Sequence, residues 1–363
     1  MTATSGRAGE AAEPCDGSRA GPRGKSSRAW FVVKLALGGA IVGWLAASGR
    51  LDPEVFAALG DRAPFLALVV AAQASAAALQ IFRWWVLARA LELPIGLGEA
   101  FRASIVGCGA NIVAPGGLGL EGARLVHFRR GMLGRIPELV STFALDRVLG
   151  LLALLVLAFA SVIALGGTVL GESARTLQVI GAALVVAGVA ALFVLTGASP
   201  LVAPTWLRTR RAWRETAGAL ARYRRRAPAL AVGLLVSIAS HVFNAIAAWG
   251  ALIALGVAGE LLGVLAATPL VVLAKALPIV PAGLGIAEGV AAELYPALGL
   301  AAGAEAQILL RATYTVLFGT GALAMIACRA RSAGADAHRR SGPTPSHGAV
   351  ARRDPQEKSL VET

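Results

Sequence analysis

The chain has 363 residues, of which 56% are hydrophobic and 15% charged, and its mean hydropathy is +0.69. This composition excludes an ordinary soluble domain and predicts an all-α polytopic membrane protein. The net charge of +13 would suggest a nucleic-acid partner in a soluble protein, but the cations cluster in loops beside apolar runs, where membrane topology and anionic lipid account for them.

Six apolar runs are long enough to cross a hydrocarbon layer of about 30 Å. They lie at roughly 30–48, 63–82, 138–165, 177–197, 229–256 and 304–327. Residues 1–29 and 328–363 are polar and are predicted to be disordered cytoplasmic tails, and a basic cytoplasmic loop, 198–228, lies between the fourth and fifth runs. The first run has no cleavage-type ending, so we expect a retained helix. The membrane domain is therefore predicted to occupy 30–327.

Two shorter apolar arms, roughly 101–114 and 261–277, each lead into a motif rich in glycine. The first motif runs from Pro115 to Glu121 as Pro-Gly-Gly-Leu-Gly-Leu-Glu, and the second runs from Pro281 to Glu288 as Pro-Ala-Gly-Leu-Gly-Ile-Ala-Glu. Prolines and glycines at membrane depth are tolerated where the backbone is buried in protein or lines a polar cavity, and paired interruptions indicate a transporter's substrate site.

The flanks of the two motifs also correspond. Trp85 precedes the first proline by 30 residues and Trp249 precedes the second by 32, while Arg147 follows the first by 32 and Arg311 follows the second by 30. This indicates an internal duplication, with one repeat at about 63–165 and the other at about 229–327.

The distribution of cations decides how the short arms are arranged. If each arm and its motif form a re-entrant hairpin, 27 Lys and Arg residues are cytoplasmic, three are external, and four lie within apolar sequence. Because cytoplasmic loops collect Lys and Arg, this arrangement is favoured over full crossings. It predicts six spans plus two re-entrant helical hairpins that enter from opposite faces, so that the two repeats have inverted topology.

Charged groups within apolar sequence are costly and usually mark a pathway. Asp146, Arg147 and Arg311 lie within predicted spans, Lys275 lies on the second arm, and a glutamate ends each motif. One interpretation is that these acids and bases pair at rest and exchange partners with a ligand. The other is that Glu121 pairs with Arg147, and Glu288 with Arg311, only to pin each hairpin to its helix.

The two motifs also predict helix N-termini, where proline fits the first turn and backbone N–H groups suit an anion. The alternative is that their glycines serve tight hairpin packing. The candidate substrate-binding residues are Asn111, Pro115, Gly116, Gly117, Glu121, Arg124, Arg147, Lys275, Pro281, Gly283, Gly285, Glu288 and Arg311.

The sequence carries no recognisable catalytic, metal or cofactor motif, so we expect neither an enzyme nor a cofactor.

The sequence Arg83-Trp84-Trp85 is typical of an anchor at the membrane interface. Trp206, Trp213 and Tyr223 lie among the arginines of the basic loop and predict rings at headgroup depth with cations on anionic lipid.

Three segments resemble the lysylphosphatidylglycerol synthase transmembrane-region family, also described as flippase-like. They are 101–124 with its Pro-Gly-Gly and Glu-Gly-Ala-Arg, 145–150 (Leu-Asp-Arg-Val-Leu-Gly), and 277–288 followed by Arg311. Members commonly carry Gly-Gly-Asp where this chain has Gly-Leu-Gly-Leu-Glu. The resemblance covers roughly 30–327 and implies a membrane domain that moves lipids or lipid-linked glycans between leaflets. The full-length synthases add a soluble aminoacyl-transfer domain, which the polar tail here does not resemble.

We therefore expect a lipid translocase that holds an anionic headgroup, with a phospholipid or polyprenyl-linked lipid as its partner. A secondary transporter of a small anionic solute and a non-transporting scaffold for a lipid or glycan synthesis enzyme remain alternatives. A homo-oligomer and a glycosyltransferase partner are both compatible with the sequence. The expected location is the plasma (inner) membrane, with multiple passes and both termini in the cytoplasm.

Overall fold

The computed structural model describes residues 36, 39–40, 43–44, 46–49, 52–112, 114, 118–165, 173–198, 210–257, 259–275 and 284–340. All regular secondary structure in these ranges is helical. The predicted first span, 30–48, lies for the most part outside the described residues, and the predicted tail 1–29 lies wholly outside them. Of the other predicted tail, 328–363, the residues up to Arg340 are helical and residues 341–363 lie outside the described residues.

The α-helices are numbered here in chain order. They are α1 (Ala63–Ala90), α2 (Leu97–Ala110), α3 (Leu118–Phe128), α4 (Ile136–Leu165), α5 (Ser173–Phe193), α6 (Arg211–Arg222), α7 (Ala227–Ala254), α8 (Leu261–Lys275), α9 (Ile286–Ala297) and α10 (Gly303–Arg340). Short 3-10 helices occur at Pro53–Leu59 and Tyr223–Arg226, and a π-helical turn, Val194–Ala198, follows α5.

Within the described residues, five helices are long and apolar enough to cross a membrane. They are Ala63–Ala90, Ile136–Ala164, Gln178–Thr196, the α7 part of Arg211–Ala254, and Gly303–Cys328. These helices coincide with five of the six predicted spans. Helices α2, α3, α8 and α9 have 14, 11, 15 and 12 residues. They are shorter than the roughly 20 residues that a crossing helix needs.

The most extensive contact between helices joins α1 to α7. Small residues let the two backbones approach: a Cβ added to Gly250 would lie 3.3 Å from a methyl group of Val69. Polar groups also cross the contact, since Gln80 Nε2 donates to Ser240 Oγ over 3.2 Å and Ser240 Oγ donates to the Ala76 carbonyl over 3.1 Å.

The helices α1–α4 and α7–α10 follow the same order of long, short, short and long. Each first short helix packs on the long helix of the other set, since α2 contacts α10 and α8 contacts α4. An indole closes the same turn in each set: Trp85 Nε1 donates to the Ile95 carbonyl over 3.1 Å, and Trp249 Nε1 donates to the Gly259 carbonyl over 2.9 Å. The two sets are thus alike in order and in these contacts.

The prediction of an interfacial anchor is wrong for Arg83 and Trp84, which are 7% and 0% exposed. The physical reason is that α1 continues to Ala90, so these side chains lie inside the helix bundle, where the Trp84 indole donates to Thr142 Oγ1 over 2.9 Å.

Part of the segment predicted as a basic loop is helical. It contains α6, whose apolar side packs on α4. The prediction of a ring at headgroup depth is wrong for Tyr223, which is fully buried and donates its hydroxyl to the Leu87 carbonyl over 2.8 Å. Trp206 lies outside the described residues.

Candidate functional site

The first part of the candidate site is an ion pair between α3 and α4. Arg147 donates from Nε to Glu121 Oε1 over 2.6 Å and from Nη2 to Glu121 Oε2 over 2.9 Å. This two-pronged geometry is the strongest that a guanidinium makes with a carboxylate. The Arg147 side chain is 49% exposed and that of Glu121 is 15% exposed, so the basic end of the pair can be reached from outside the bundle.

The second part is an ion pair between α9 and α10. Arg311 donates from Nε and Nη2 to Glu288 Oε1, over 2.9 and 2.7 Å. The other carboxylate oxygen accepts from the Gly285 N–H over 2.8 Å. Gly285 has a φ of +81°, a left-handed conformation that favours glycine. Glu288 is 0% exposed and Arg311 24%, so this pair is the deeper of the two.

Both pairs proposed from the sequence are therefore present in the structure, and each ties a short helix to the long helix that follows it. The positions match the internal repeat, because Arg311 lies 164 residues after Arg147, the same offset that separates Trp249 from Trp85. Whether these groups also hold a substrate stays a prediction.

The backbone amides at the starts of α3 and α9 already have side-chain acceptors. The Leu120 N–H donates to Asn111 Oδ1 over 3.0 Å, and the Gly285 N–H donates to Glu288 as described. An anion at either helix start would compete with these groups for the two amides. The predicted site residues Pro115, Gly116, Gly117, Pro281 and Gly283 lie outside the described residues.

Lys275 is the last residue of α8 and is exposed. Its charge interacts with those of Arg311 and Glu288, so all three belong to the same electrostatic neighbourhood. The second half of the candidate site thus contains two bases and one acid.

Asp146 turns away from its neighbour Arg147 and into the bundle. Its Oδ1 accepts from Arg83 Nε over 2.7 Å, and its Oδ2 lies 3.9 Å from Nη1 of the fully buried Arg124. Sequence reasoning placed Arg83 at the membrane interface and missed this role. The available signal was the apolar sequence that continues for several residues after Arg83, which keeps it within the helix.

The arrangement can hold anions, since each half presents a partly exposed guanidinium beside a short helix. Among the residues that the structure describes, no three His, Cys, Asp or Glu side chains are grouped as metal ligands would be.

Comparison with known families matches residues 31–321 to the one described as "Lysylphosphatidylglycerol synthase TM region". The match covers most of the chain, including every residue of the candidate site. The family description refers to a transmembrane region and not to a catalytic domain. No curated protein matches the chain.

Proposed function

Because the chain belongs to the lysylphosphatidylglycerol synthase transmembrane-region family, we propose that it translocates a lipid with an anionic headgroup between the two leaflets of a membrane. The lipid is a phospholipid or a lipid-linked glycan. Its phosphate contacts the arginines of the candidate site while its chains remain in the bilayer.

The observation that carries this proposal is the pair of carboxylate–arginine contacts at matched positions. Both arginines lie in helices long and apolar enough to cross a membrane. A charged side chain at the centre of a bilayer costs about 2.5–3.5 kcal/mol. A pair whose only role was to pin a short helix could be replaced by apolar packing at little cost. Both halves nevertheless have a partly exposed guanidinium in a helix of this kind. This favours a role for the two arginines in binding.

Exchange of partners would let the site open without leaving a charge uncompensated. A phosphate carries several acceptor oxygens and fits a guanidinium in the same two-pronged manner as a carboxylate. When the phosphate binds Arg147 or Arg311, the glutamate that was paired with that arginine needs another partner. In the second half the charge of Lys275 interacts with that of Glu288, and we infer that Lys275 becomes this partner when Arg311 binds the phosphate.

The proposal includes an inverted duplication with two re-entrant hairpins, α2–α3 and α8–α9. Support comes from the short lengths of these helices and from the reciprocal packing of α2 on α10 and α8 on α4. Under this scheme α1 and α7 cross in opposite directions. One arrangement of the chain then provides both an inward-open and an outward-open state.

The proposed location is the plasma (inner) membrane, with both termini in the cytoplasm. The segment from α6 to the start of α7 presents exposed arginines at 210, 211, 214, 222 and 224–226. Arg211, Arg222 and Arg226 are paired with glutamates. We infer that the other arginines contact anionic headgroups of the cytoplasmic leaflet, where each cation contributes about 1 kcal/mol.

The test is reconstitution into vesicles that carry a fluorescent phospholipid in one leaflet. The wild-type chain is expected to accelerate transfer to the other leaflet. Arg147→Ala and Arg311→Ala are each expected to slow it about tenfold, since a charge-assisted hydrogen bond contributes about 1.5–3 kcal/mol. Arg175→Ala, which removes an exposed arginine on α5, is the matched control and should leave the rate unchanged.

Equal rates for all four proteins would remove the proposed site. Uptake of a water-soluble phosphate ester without lipid transfer would favour a secondary transporter of anionic solutes. Activity in neither assay would leave the scaffold interpretation.

A further inference from the structure

A second group of charges lies deeper than the two glutamate–arginine pairs. Arg83 on α1, Arg124 on α3 and Asp146 on α4 are all buried, and we refer to them as the inner charge cluster. Two guanidinium groups face one carboxylate, so the cluster carries one excess positive charge. An ionised group in a low-dielectric interior is costly unless it is paired and hydrogen-bonded.

The excess charge falls on Arg124. Arg83 engages the carboxylate directly and also donates from Nη1 to Ser237 Oγ over 2.9 Å. Arg124 Nη1 is 3.9 Å from Asp146 Oδ2, which is beyond hydrogen-bond distance. Asp146 therefore neutralises Arg83 more closely than it neutralises Arg124.

Donors around Arg124 outnumber acceptors. Its Nε donates to Ser104 Oγ over 2.9 Å and its guanidinium lies 4.1 Å from the centre of the Trp84 ring. Nη1 and Nη2 are buried and have no acceptor among the described residues. Ser104 Oγ, which accepts from Arg124 Nε, keeps a hydroxyl proton that it can itself donate. Such groups require a partner, because a buried donor left unsatisfied costs about 1–3 kcal/mol.

The cluster is not a requirement of the repeated architecture. At the offset of 164 residues that relates the two halves, Arg83 corresponds to Ala247 and Asp146 corresponds to Leu310. Ala247 is fully packed. At these two positions the second half has apolar side chains, and at the same offset Arg124 corresponds to Glu288, whose charge is already paired with Arg311. The excess positive charge is thus a property of the first half.

We propose that the inner charge cluster binds a small monovalent inorganic anion of about the size of chloride. Its donors are Nη1 and Nη2 of Arg124 and the hydroxyl of Ser104. The enclosure by α1, α2, α3 and α4 favours a monatomic ion over a lipid phosphate, which would force these helices apart. The anion cancels the excess charge, so its binding stabilises the folded chain by mass action. This inference does not depend on lipid translocation.

The test uses the full chain in detergent and its thermal unfolding midpoint. Sodium chloride replaces sodium gluconate at constant ionic strength, so that only the small anion changes. The midpoint of the wild type is expected to rise by about 2–5 °C at chloride concentrations ten times the dissociation constant, and then to keep rising only logarithmically. Arg124→Gln should abolish the rise. Asp146→Asn should shift it to lower chloride concentration, because the cluster then carries two excess charges.

Arg214→Gln, at an exposed arginine of α6, is the matched control and should keep the wild-type response. A wild-type midpoint that is equal in chloride and gluconate would overturn the proposal and leave only water at the cluster. A rise that persists in Arg124→Gln would place the anion elsewhere. If Arg124→Gln does not fold, the comparison of wild type with Asp146→Asn decides, since an unchanged chloride dependence contradicts binding at this cluster.

Discussion

At the level of single residues, the two matched ion pairs differ in how deeply their glutamate side chains are buried. Glu288 is fully buried, whereas the Glu121–Arg147 pair is partly exposed. Removing the partner of a buried charge costs about 3–5 kcal/mol, while exposed pairs contribute about 0–1 kcal/mol. We expect Arg311→Gln to lower the free energy of unfolding by about 3 kcal/mol and Arg147→Gln by less than about 1 kcal/mol, measured by thermal or denaturant unfolding in detergent.

The control for this comparison is the double variant Glu288→Gln with Arg311→Gln, which removes both charges. It should recover much of the lost stability, because no unpaired charge remains at the buried position. Equal losses for the two single variants would contradict the difference in burial.

The sequence predicted the two ion pairs because the motif positions and the arginines recur at nearly the same offset. It did not predict the partner of Asp146. Arg83 and Arg124 are 63 and 22 residues away from Asp146 in the chain, and only the packing of α1 and α3 against α4 brings the three together. Tertiary contacts of this kind leave no periodic signal in one sequence.

Close backbone contact sets the position of α3 at the level of elements. A Cβ added to Gly119 would lie 2.6 Å from the Ala110 carbonyl carbon and 2.7 Å from the Asn111 nitrogen, which are backbone atoms that cannot rotate away. Gly119→Ala is therefore expected to displace α3 from α2 and to cost about 1–3 kcal/mol of stability.

Gly122, three residues further along the same helix, provides the matched control, since a Cβ there meets nothing within 4 Å. Gly122→Ala should be neutral, or should stabilise by up to about 1 kcal/mol through helix propensity. The measurement is the thermal unfolding midpoint of both variants. An equal effect of the two substitutions would contradict the packing described for α2 and α3.

The contact between α9 and α10 allows the same comparison. A Cβ added to Gly303 would collide with the Ala291 carbonyl oxygen and the Tyr295 ring, whereas Gly289 has open space. Gly303→Ala is expected to lower the unfolding midpoint by separating α9 from α10, and Gly289→Ala to leave it unchanged or slightly higher. A midpoint unaffected by Gly303→Ala would exclude this contact as a determinant of stability.

The long helices were predicted from the lengths of their apolar runs, but α6 was predicted as a loop. Its pattern is helical, because Trp213, Ala217 and Leu220 recur at intervals of four and three on one face. The many arginines on the other face of α6 were interpreted as the mark of a cytoplasmic loop. The helix forms because that apolar face, with Ala217 and Leu220 buried, packs against α4.

At the scale of the whole molecule, the charge distribution predicts on which face of the membrane each turn between helices lies. The turn between α3 and α4 carries Arg129, Arg130 and Arg135, while the segment between α9 and α10 contains no Lys or Arg. Because cytoplasmic loops collect cations, these two corresponding turns are expected on different sides. The central claim is that the two halves cross the membrane in opposite directions.

Labelling of single cysteines in intact cells tests this claim most directly. Cys15, Cys108 and Cys328 are first replaced. Gly131→Cys and Ala301→Cys then place one thiol in each turn, at positions that are exposed. A membrane-impermeant thiol reagent added outside is predicted to label the cysteine at 301 and to label the one at 131 only after the membrane is opened. Labelling of both positions from the same side would contradict the inverted architecture and the translocation mechanism that depends on it.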